Sequence, residues 1–410
     1  MKKAFESLLR LRALETLRHR SFRLLCYGQV FATMGSWMDE VTRGWLIYEL
    51  TDSPLQLGLV RGIQAIPLLL LSPIAGSVAD RFPRRTQLVI AQVANGLIYV
   101  VTATLVFTHL IVPWHVYVMA VLVGSVQVFQ QPSRAAMVSD TVPPEYMTNA
   151  IGFNSVVFNV SRSIGPAIAG GLIVFTGTGG AFLVQAAFLF ISSAWTMMIP
   201  ANAPRSQRHR ESFGRSIISG WQFSLRSEPV RAGLLCTMLA GLFIVPFTAL
   251  LPVFARDLLA IGADGQGLLL TAMGLGALVS AAIVANAGHR LPRGLMMLLA
   301  TMGYGLSVVV FALSSSFALS MATMALAGLC HVHSNGLVQT VIQSHSPPEY
   351  RGRTLAIFSL NQVLVTLGAL ALGSLATALG PRPAMALMGA TGFVAMVAMY
   401  FAMPRAREIR

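Results

Sequence analysis

The chain has 410 residues, 55% of them hydrophobic and only 11% charged, with a net charge of +14. A soluble domain usually carries about 25% charged residues, so this composition excludes a water-soluble globule. The basic residues sit in short segments between long apolar runs, which argues against a nucleic-acid surface despite the charge.

A helix that crosses a bilayer needs about 20 apolar residues. Twelve such runs follow one another: 23–48, 54–78, 86–108, 114–133, 150–174, 181–200, 231–255, 266–287, 294–314, 317–343, 354–378 and 382–403. The first 22 residues are basic and loosely amphipathic, with no cleavable signal. They are either a solvated tail or a surface helix that turns Phe5, Leu8, Leu11 and Leu14 to lipid. The longest polar gap, Ala201 to Val230, is too short to bury a core. The expected organisation is therefore a tail (1–22), a first bundle of six helices (23–200), a linker (201–230), a second bundle (231–403) and a C-terminal tail (404–410).

The halves echo each other. Pro143-Pro144-Glu145-Tyr146 returns as Pro347-Pro348-Glu349-Tyr350, Asp80-Arg81-Phe82-Pro83-Arg84 as His289-Arg290-Leu291-Pro292-Arg293, and Leu24-Leu25-Cys26 as Leu234-Leu235-Cys236. Parallel duplicated halves are a recurring build of secondary transporters. With the N-terminus inside, 24 of the 29 basic residues fall in the inside segments, counting Arg23 and Arg231 at the inner ends of their spans. Arg256 and Arg382 fall outside, and Arg43, Arg61 and Arg162 lie within spans. By the positive-inside rule both termini are cytoplasmic and the protein is multi-pass.

Ionisable groups inside spans are costly and mark a working pathway. In the first span, Gln29, Thr33, Ser36, Glu40 and Arg43 recur at intervals of three and four, one helical face, with Asp39 at its edge. The second span adds Arg61 and Gln64, the fourth Gln127, Gln131 and Arg134. The fifth adds Ser155, Asn159 and Arg162. The second half is quieter: His331, Asn335, Gln339 and Gln343 share one side of the tenth span, with His333 nearly opposite. The eleventh offers Ser359, Gln362 and Thr366. Span seven is almost wholly apolar, with Leu239, Phe243, Phe247 and Leu250. Two readings stand. The charges form an ion-pair network that holds helices together. Alternatively, Glu40, or Asp39, exchanges a proton while an arginine orients substrate. Burial raises a carboxyl pKa and a nearby guanidinium lowers it, so such a group can load at one face and release at the other. Glu40 is favoured because it lies nearer the centre of the polar face. His331 is either a proton relay or a packing residue.

Cys26, Cys236 and Cys330 all fall within spans, so neither a disulfide framework nor a thiolate metal site is expected. No phosphate-binding loop is present, so the energy source is an ion gradient or the substrate's own gradient. No cofactor or metal is expected. Of the histidines, His331, His333 and His345 are the candidates for chemistry, and no nucleophile and base converge on them. An enzyme or a non-transporting scaffold is the reading from a different class.

The loop after the second span runs Gly76-Ser77-Val78-Ala79-Asp80-Arg81-Phe82-Pro83-Arg84-Arg85. It resembles the signature loop of the major facilitator superfamily, with Pro83 where glycine is usual. Span five carries Gly152, Ser161, Gly165-Pro166 and Gly170-Gly171. This resembles the superfamily's antiporter signature, with Ser161 for a glycine and one extra residue before the final pair. Gly35-Ser36-Trp37-Met38, Trp45-Leu46, Leu50-Thr51-Asp52-Ser53-Pro54, Gln131-Pro132-Ser133-Arg134 and Pro348-Glu349-Tyr350-Arg351-Gly352-Arg353 look like the branch that includes bacterial siderophore and macrolide-type drug exporters. The resemblance covers nearly the whole chain. It implies an all-α integral membrane fold, twelve transmembrane helices in two six-helix bundles, in a bacterial inner membrane. It also implies alternating access around a cavity lined by spans 1, 4, 7 and 10. Asp80 would latch to the start of span 11 near Arg353, with Arg81, Arg84, Arg85 and Arg351 as its basic frame; a plain positive-inside anchor is the simpler alternative. The expected function is export of an amphiphilic small molecule, drug-like or a siderophore, in exchange for protons. The candidate cavity residues are Gln29, Ser36, Arg43, Arg61, Gln64, Gln127, Asn159, Arg162, His331, Asn335 and Gln362. Import of a small solute and transport of a lysolipid are the alternatives. The other partners are protons and membrane lipids, and nothing demands more than a monomer.

Overall fold

The computed structural model describes residues 16–200, 213–287 and 292–409. Nine of its segments are long and apolar enough to cross a membrane. One of them, 144–197, crosses twice, and α1 and α4 below, of 32 and 29 residues, complete the twelve expected spans. Large apolar side chains such as Leu70, Val101, Phe175 and Phe401 point outward from these helices. On a soluble monomer such a belt would be an aggregation surface; on a spanning helix it faces lipid.

The chain divides into two compact units, Met1–Arg43 with Ile66–Gln207, and Gly44–Ala65 with Arg208–Arg410. The division by contact therefore differs from the division by sequence. The hairpin 44–65 packs with the second half.

The first unit contains most of α1 (Arg20–Thr51) and the far part of α2 (Pro54–Arg81), followed by α3 (Arg84–Phe107), α4 (Pro113–Thr141) and α5 (Met147–Met197). At 51 residues, α5 is twice the length that a bilayer requires. It reverses at Gly177, whose φ of 70° lies in the left-handed region that glycine enters without a Cβ clash. Its limbs, 147–176 and 178–197, pack on α1 in opposite directions. Phe22 meets Phe153 and Trp37 meets Phe158 on the first limb, while Tyr27 meets Trp195 and Phe31 meets Phe188 on the second.

In the second unit α6 (Phe213–Arg226) lies inside the segment expected to be the linker. Trp221 and Phe223 of α6 pack against the apolar cluster of Val230, Met297, Val341 and Ile357. The segment is polar on average, but its apolar residues fall on one helical face, and that face docks. Then follow α7 (Glu228–Phe243), α8 (Gly262–Ala287), α9 (Arg293–Leu313), α10 (Phe317–Ser344), α11 (Pro348–Ser359), α12 (Asn361–Leu379) and α13 (Pro381–Ala402). Span seven is not one helix. Beyond α7 it tightens to a 3-10 turn at Val245–Leu250 and loosens to a π turn at Phe254–Leu258. Pro246 and Pro252 each lack the N–H that a continuous α-helix would use there. Span eleven is likewise broken, between α11 and α12 at Leu360.

The duplication extends further upstream than the sequence motifs. Tyr146 rests edge-on against His19 at 5.2 Å, and Tyr350 stacks on Phe223 at 4.6 Å. Both pairs are 127 residues apart in the chain (19 to 146 and 223 to 350). The linker helix α6 is thus the second half's counterpart of the segment that leads into α1.

Candidate functional site

The single polar stripe expected on α1 is two stripes. Asp39 and Arg43 are 2% and 4% exposed, turned into the first unit, and bonded to each other at 2.7 Å. The Tyr99 hydroxyl of α3 reaches Asp39. One turn away, the Gln185 amide of α5 donates to the Thr42 hydroxyl at 2.9 Å. Gln92 and Asn95 share Tyr99's face of α3 and are also buried. Gln29 and Thr33 belong with this interior set, as does Ser161 of α5. A buried ion pair supplied by two positions of one helix, and surrounded by hydroxyls and amides, locks helix orientation. Gln29 and Arg43, expected to line a cavity, lie instead inside helix packing. The three-and-four spacing places residues on a common side of a helix, but adjacent stripes about 100° apart can face different neighbours.

The second stripe is more open. Ser36 is exposed and Glu40 and Trp37 are half-buried. Arg162 of α5 holds its guanidinium 5.2 Å from the Trp37 ring centre, and Phe158 makes a T-shaped contact with that ring at 5.6 Å. Asn159, half-buried, donates to the Ser155 carbonyl. Glu40 follows Trp37 by three residues on α1, and Arg162 stands against the Trp37 ring, so a carboxylate, an aromatic plane and a cation are offered. Such a set suits a ligand with both apolar and charged parts. On α4, Gln127 is half-buried, and Arg134 donates to Gln131 at 3.1 Å. Arg61 and Gln64 are half-buried on the part of α2 that belongs to the second unit.

The loop motif is partly in view. Gly76, Asp80 and Arg81 occupy the last turns of α2, but their side chains, and the expected latch of Asp80, lie outside the described residues, as does His289. Arg84 pairs with Asp140 at the end of α4, 2.7 Å away, and Arg85 follows it in the first turn of α3. In the second unit, Arg351 donates to the Ser346 carbonyl at 3.1 Å. Arg353 donates to the Ser219 hydroxyl of α6 at 2.7 Å and lies over the Tyr350 ring. Of the antiporter-like motif, Gly165 has a packing role. A Cβ there would stand 3.0 Å from Trp37 Cβ and 3.1 Å from the Met34 carbonyl, so α1 and α5 touch backbone to backbone. Pro166 and Gly170 are buried beside it, whereas Gly171 has nothing within 4 Å of that position.

In the second unit His331 lies edge-on to Tyr304 at 5.0 Å, with Asn335 half-buried a turn further along α10. His333 faces elsewhere, as its position two residues on requires. Gln362 is exposed on the first turn of α12. Phe247 and Leu250, expected as an apolar cavity wall, are buried instead, Phe247 against Tyr304 and Phe311. Leu239 and Phe243 remain half-exposed. Cys236 bonds the Thr301 hydroxyl at 3.1 Å, and Thr301 in turn bonds Ser334.

A family model described as transmembrane secretion effector, within the major facilitator superfamily, matches residues 12–409. The chain belongs to that family. Relatives resemble it over nearly their full length. The staphyloferrin A transporter of Staphylococcus aureus (strain NCTC 8325 / PS 47) is 22% identical, covering 90% of this chain and 92% of its own. The enterobactin exporter EntS of Shigella flexneri is 26% identical, covering 94% and 91%. Among solved structures, an inward-facing bacterial homolog of the human lysosomal transporter Spinster superposes with a TM-score of 0.74 at 16% identity. That match covers 95% of this chain and 98% of the other. The twelve-helix major facilitator fold is thereby established.

Within this transporter, the sequence reading missed Tyr99, which reaches Asp39, Gln185, which bonds Thr42, and the buried Gln92 and Asn95. Their signal was present: positions 92, 95 and 99 recur at helical spacing in an otherwise apolar span, as does a glutamine at 185. Asn361 was also missed. It stands at the break between α11 and α12, where a Cβ on Gly241 would collide with its Oδ1 at 1.8 Å.

Proposed function

We propose that this transporter exports an amphiphilic small molecule, a siderophore or a drug-like compound of similar character, in exchange for protons and by alternating access. The observation that carries the reading is the full-length similarity to a staphyloferrin A transporter and an enterobactin exporter. The open stripe of Ser36, Trp37, Glu40, Asn159 and Arg162 supports it with a surface of the required chemistry. Arg162 and Trp37 meet the anionic and aromatic parts of the substrate, and Glu40 carries the proton. Asp39 is set aside for that role because Arg43 holds it as a buried ion pair. A carboxylate so paired gains little from releasing its partner and much from keeping it.

Direction is tested in inverted membrane vesicles from cells that express the protein. Radiolabelled enterobactin or staphyloferrin A added outside should accumulate inside when the vesicles are energised. Accumulation in right-side-out vesicles, with none in inverted ones, would make the protein an importer.

A further inference from the structure

The interior of the first unit holds polar groups that its own side chains do not satisfy. There α1, α3 and the second limb of α5 meet at close range. A Cβ on Gly28 would stand 3.0 Å from the Ser192 carbonyl oxygen, and one on Gly96 2.8 Å from the Phe190 ring. Gln92, Asn95 and Tyr99 lie on one face of α3, and the Tyr99 hydroxyl reaches Asp39 of α1. Gln185 donates to Thr42 at 2.9 Å, one turn from Asp39 and next to Arg43. Gln92, Asn95, Gln185 and Arg43 are 2%, 4%, 0% and 4% exposed. Yet Gln92 Oε1, Asn95 Oδ1, Gln185 Oε1 and Arg43 Nη1 make no hydrogen bond with any described residue.

A buried donor or acceptor left bare forfeits its hydration, and native interiors hold few of them. Turning the Gln185 amide over exchanges its ends and still leaves one of them bare. The chemistry of the set selects its occupant. The amide oxygens call for a donor, and the guanidinium N–H calls for an acceptor. An anion would face three oxygens, and a cation would face Arg43. Water donates twice and accepts twice, so it serves both. The second unit shows another solution: there Cys236 bonds Thr301 at 3.1 Å, Thr301 bonds Ser334, and the set closes on itself.

We infer that the first unit encloses a short chain of ordered waters that joins Gln92, Asn95 and Gln185 to Arg43 and solvates the Asp39–Arg43 pair. A buried water typically makes about three hydrogen bonds to polar groups that lack other partners. The chain follows α3 from Gln92 to Tyr99, a rise of about 10 Å. Apolar side chains close both ends. Leu88, one turn before Gln92, belongs to a cluster with Phe22, Leu25 and Cys26. Ala103, one turn after Tyr99, is fully buried, as is Phe182, whose ring centre is 5.8 Å from that of Tyr99. The waters are thus sealed from bulk solvent. They give the ion pair polar partners and offset the desolvation that makes a buried pair costly.

The test is radiolytic hydroxyl-radical labelling of the full chain in lipid nanodiscs, read by mass spectrometry. Radicals formed from a bound water mark the side chain beside it even where bulk solvent is excluded. Tyr99 and Phe22 are aromatic residues of similar reactivity, 2% and 1% exposed. Tyr99 should be modified at doses that leave Phe22 untouched. Gln92→Met and Asn95→Leu keep nearly the same shape and each remove a partner of the waters. Tyr99 modification and melting temperature should both fall in each variant. Groups that are bare would respond in the opposite sense, since an apolar replacement relieves them and raises the melting temperature. Labelling of the unmodified chain needs no variant, so a substitution that fails to fold still leaves the site tested. Tyr99 as inert as Phe22, or a higher melting temperature in either variant, overturns the inference.

Discussion

Tyr350 stacks on Phe223 with ring centres 4.6 Å apart and planes 16° from parallel, and this contact moors the linker helix α6 to the start of α11. Arg353 reinforces it, with its guanidinium 5.2 Å from the centre of the same ring, while bonding Ser219 of α6. An aromatic pair of this kind adds about 0.5–1.5 kcal/mol beyond its buried area. Tyr350→Ala should therefore loosen α6 without unfolding the spans. Limited trypsin digestion is the check: cleavage after Arg226, at the end of α6, should be about tenfold faster in the variant. Tyr146→Ala, which removes the matching contact with His19, should leave that site unchanged.

The buried pair of Asp39 and Arg43 should behave asymmetrically. Removing one partner strands a charge in an apolar interior and costs about 3–5 kcal/mol, whereas replacing both with apolar residues of similar volume is often close to neutral. Arg43→Leu alone should lower the melting temperature sharply in detergent. The double variant Asp39→Leu, Arg43→Leu should recover most of the loss. Additive losses would mean that the two side chains do not act as a pair.

Gly165 and Gly171 belong to one motif but should respond differently. Gly165→Val drives two methyl groups into Trp37 and the Met34 carbonyl, an overpacking of about 1–3 kcal/mol. Gly171→Ala enters open space and removes a flexible residue from a helix interior, so it should be neutral or stabilising by up to about 1 kcal/mol. Thermal melts of the two purified variants separate these outcomes.

The twelve spans, the duplication and the family were legible in the sequence because each rests on local signals: run length, charge placement and short motifs. The site was legible in part. Spacing alone put Asp39, Glu40 and Arg43 near one face, yet neighbouring residues point about 100° apart. Whether a stripe meets another helix or an open face depends on which helices pack there. Tyr99, distant in sequence, decides that for Asp39, as Gln185 does for Thr42. The linker helix was missed for a related reason. Its average polarity is that of a loop, and only the docking of Trp221 and Phe223 reveals the apolar face. Grouping the hairpin 44–65 with the second half follows from side chains 204 and 209 residues apart, Asp52 with Arg256 and Tyr48 with Asp257, which no local pattern announces.

Glu40 is proposed to couple proton movement to substrate export. The direct measurement uses proteoliposomes loaded with a pH-sensitive dye under an imposed proton gradient. Enterobactin, staphyloferrin A, a macrolide and an amphiphilic cation are added in turn to the unmodified protein and to Glu40→Gln. Substrate-dependent proton flux is expected with at least one of these compounds, lost in Glu40→Gln while tracer exchange of that compound continues. Equal proton flux in Glu40→Gln, or tracer transport with no proton flux in the unmodified protein, would contradict it.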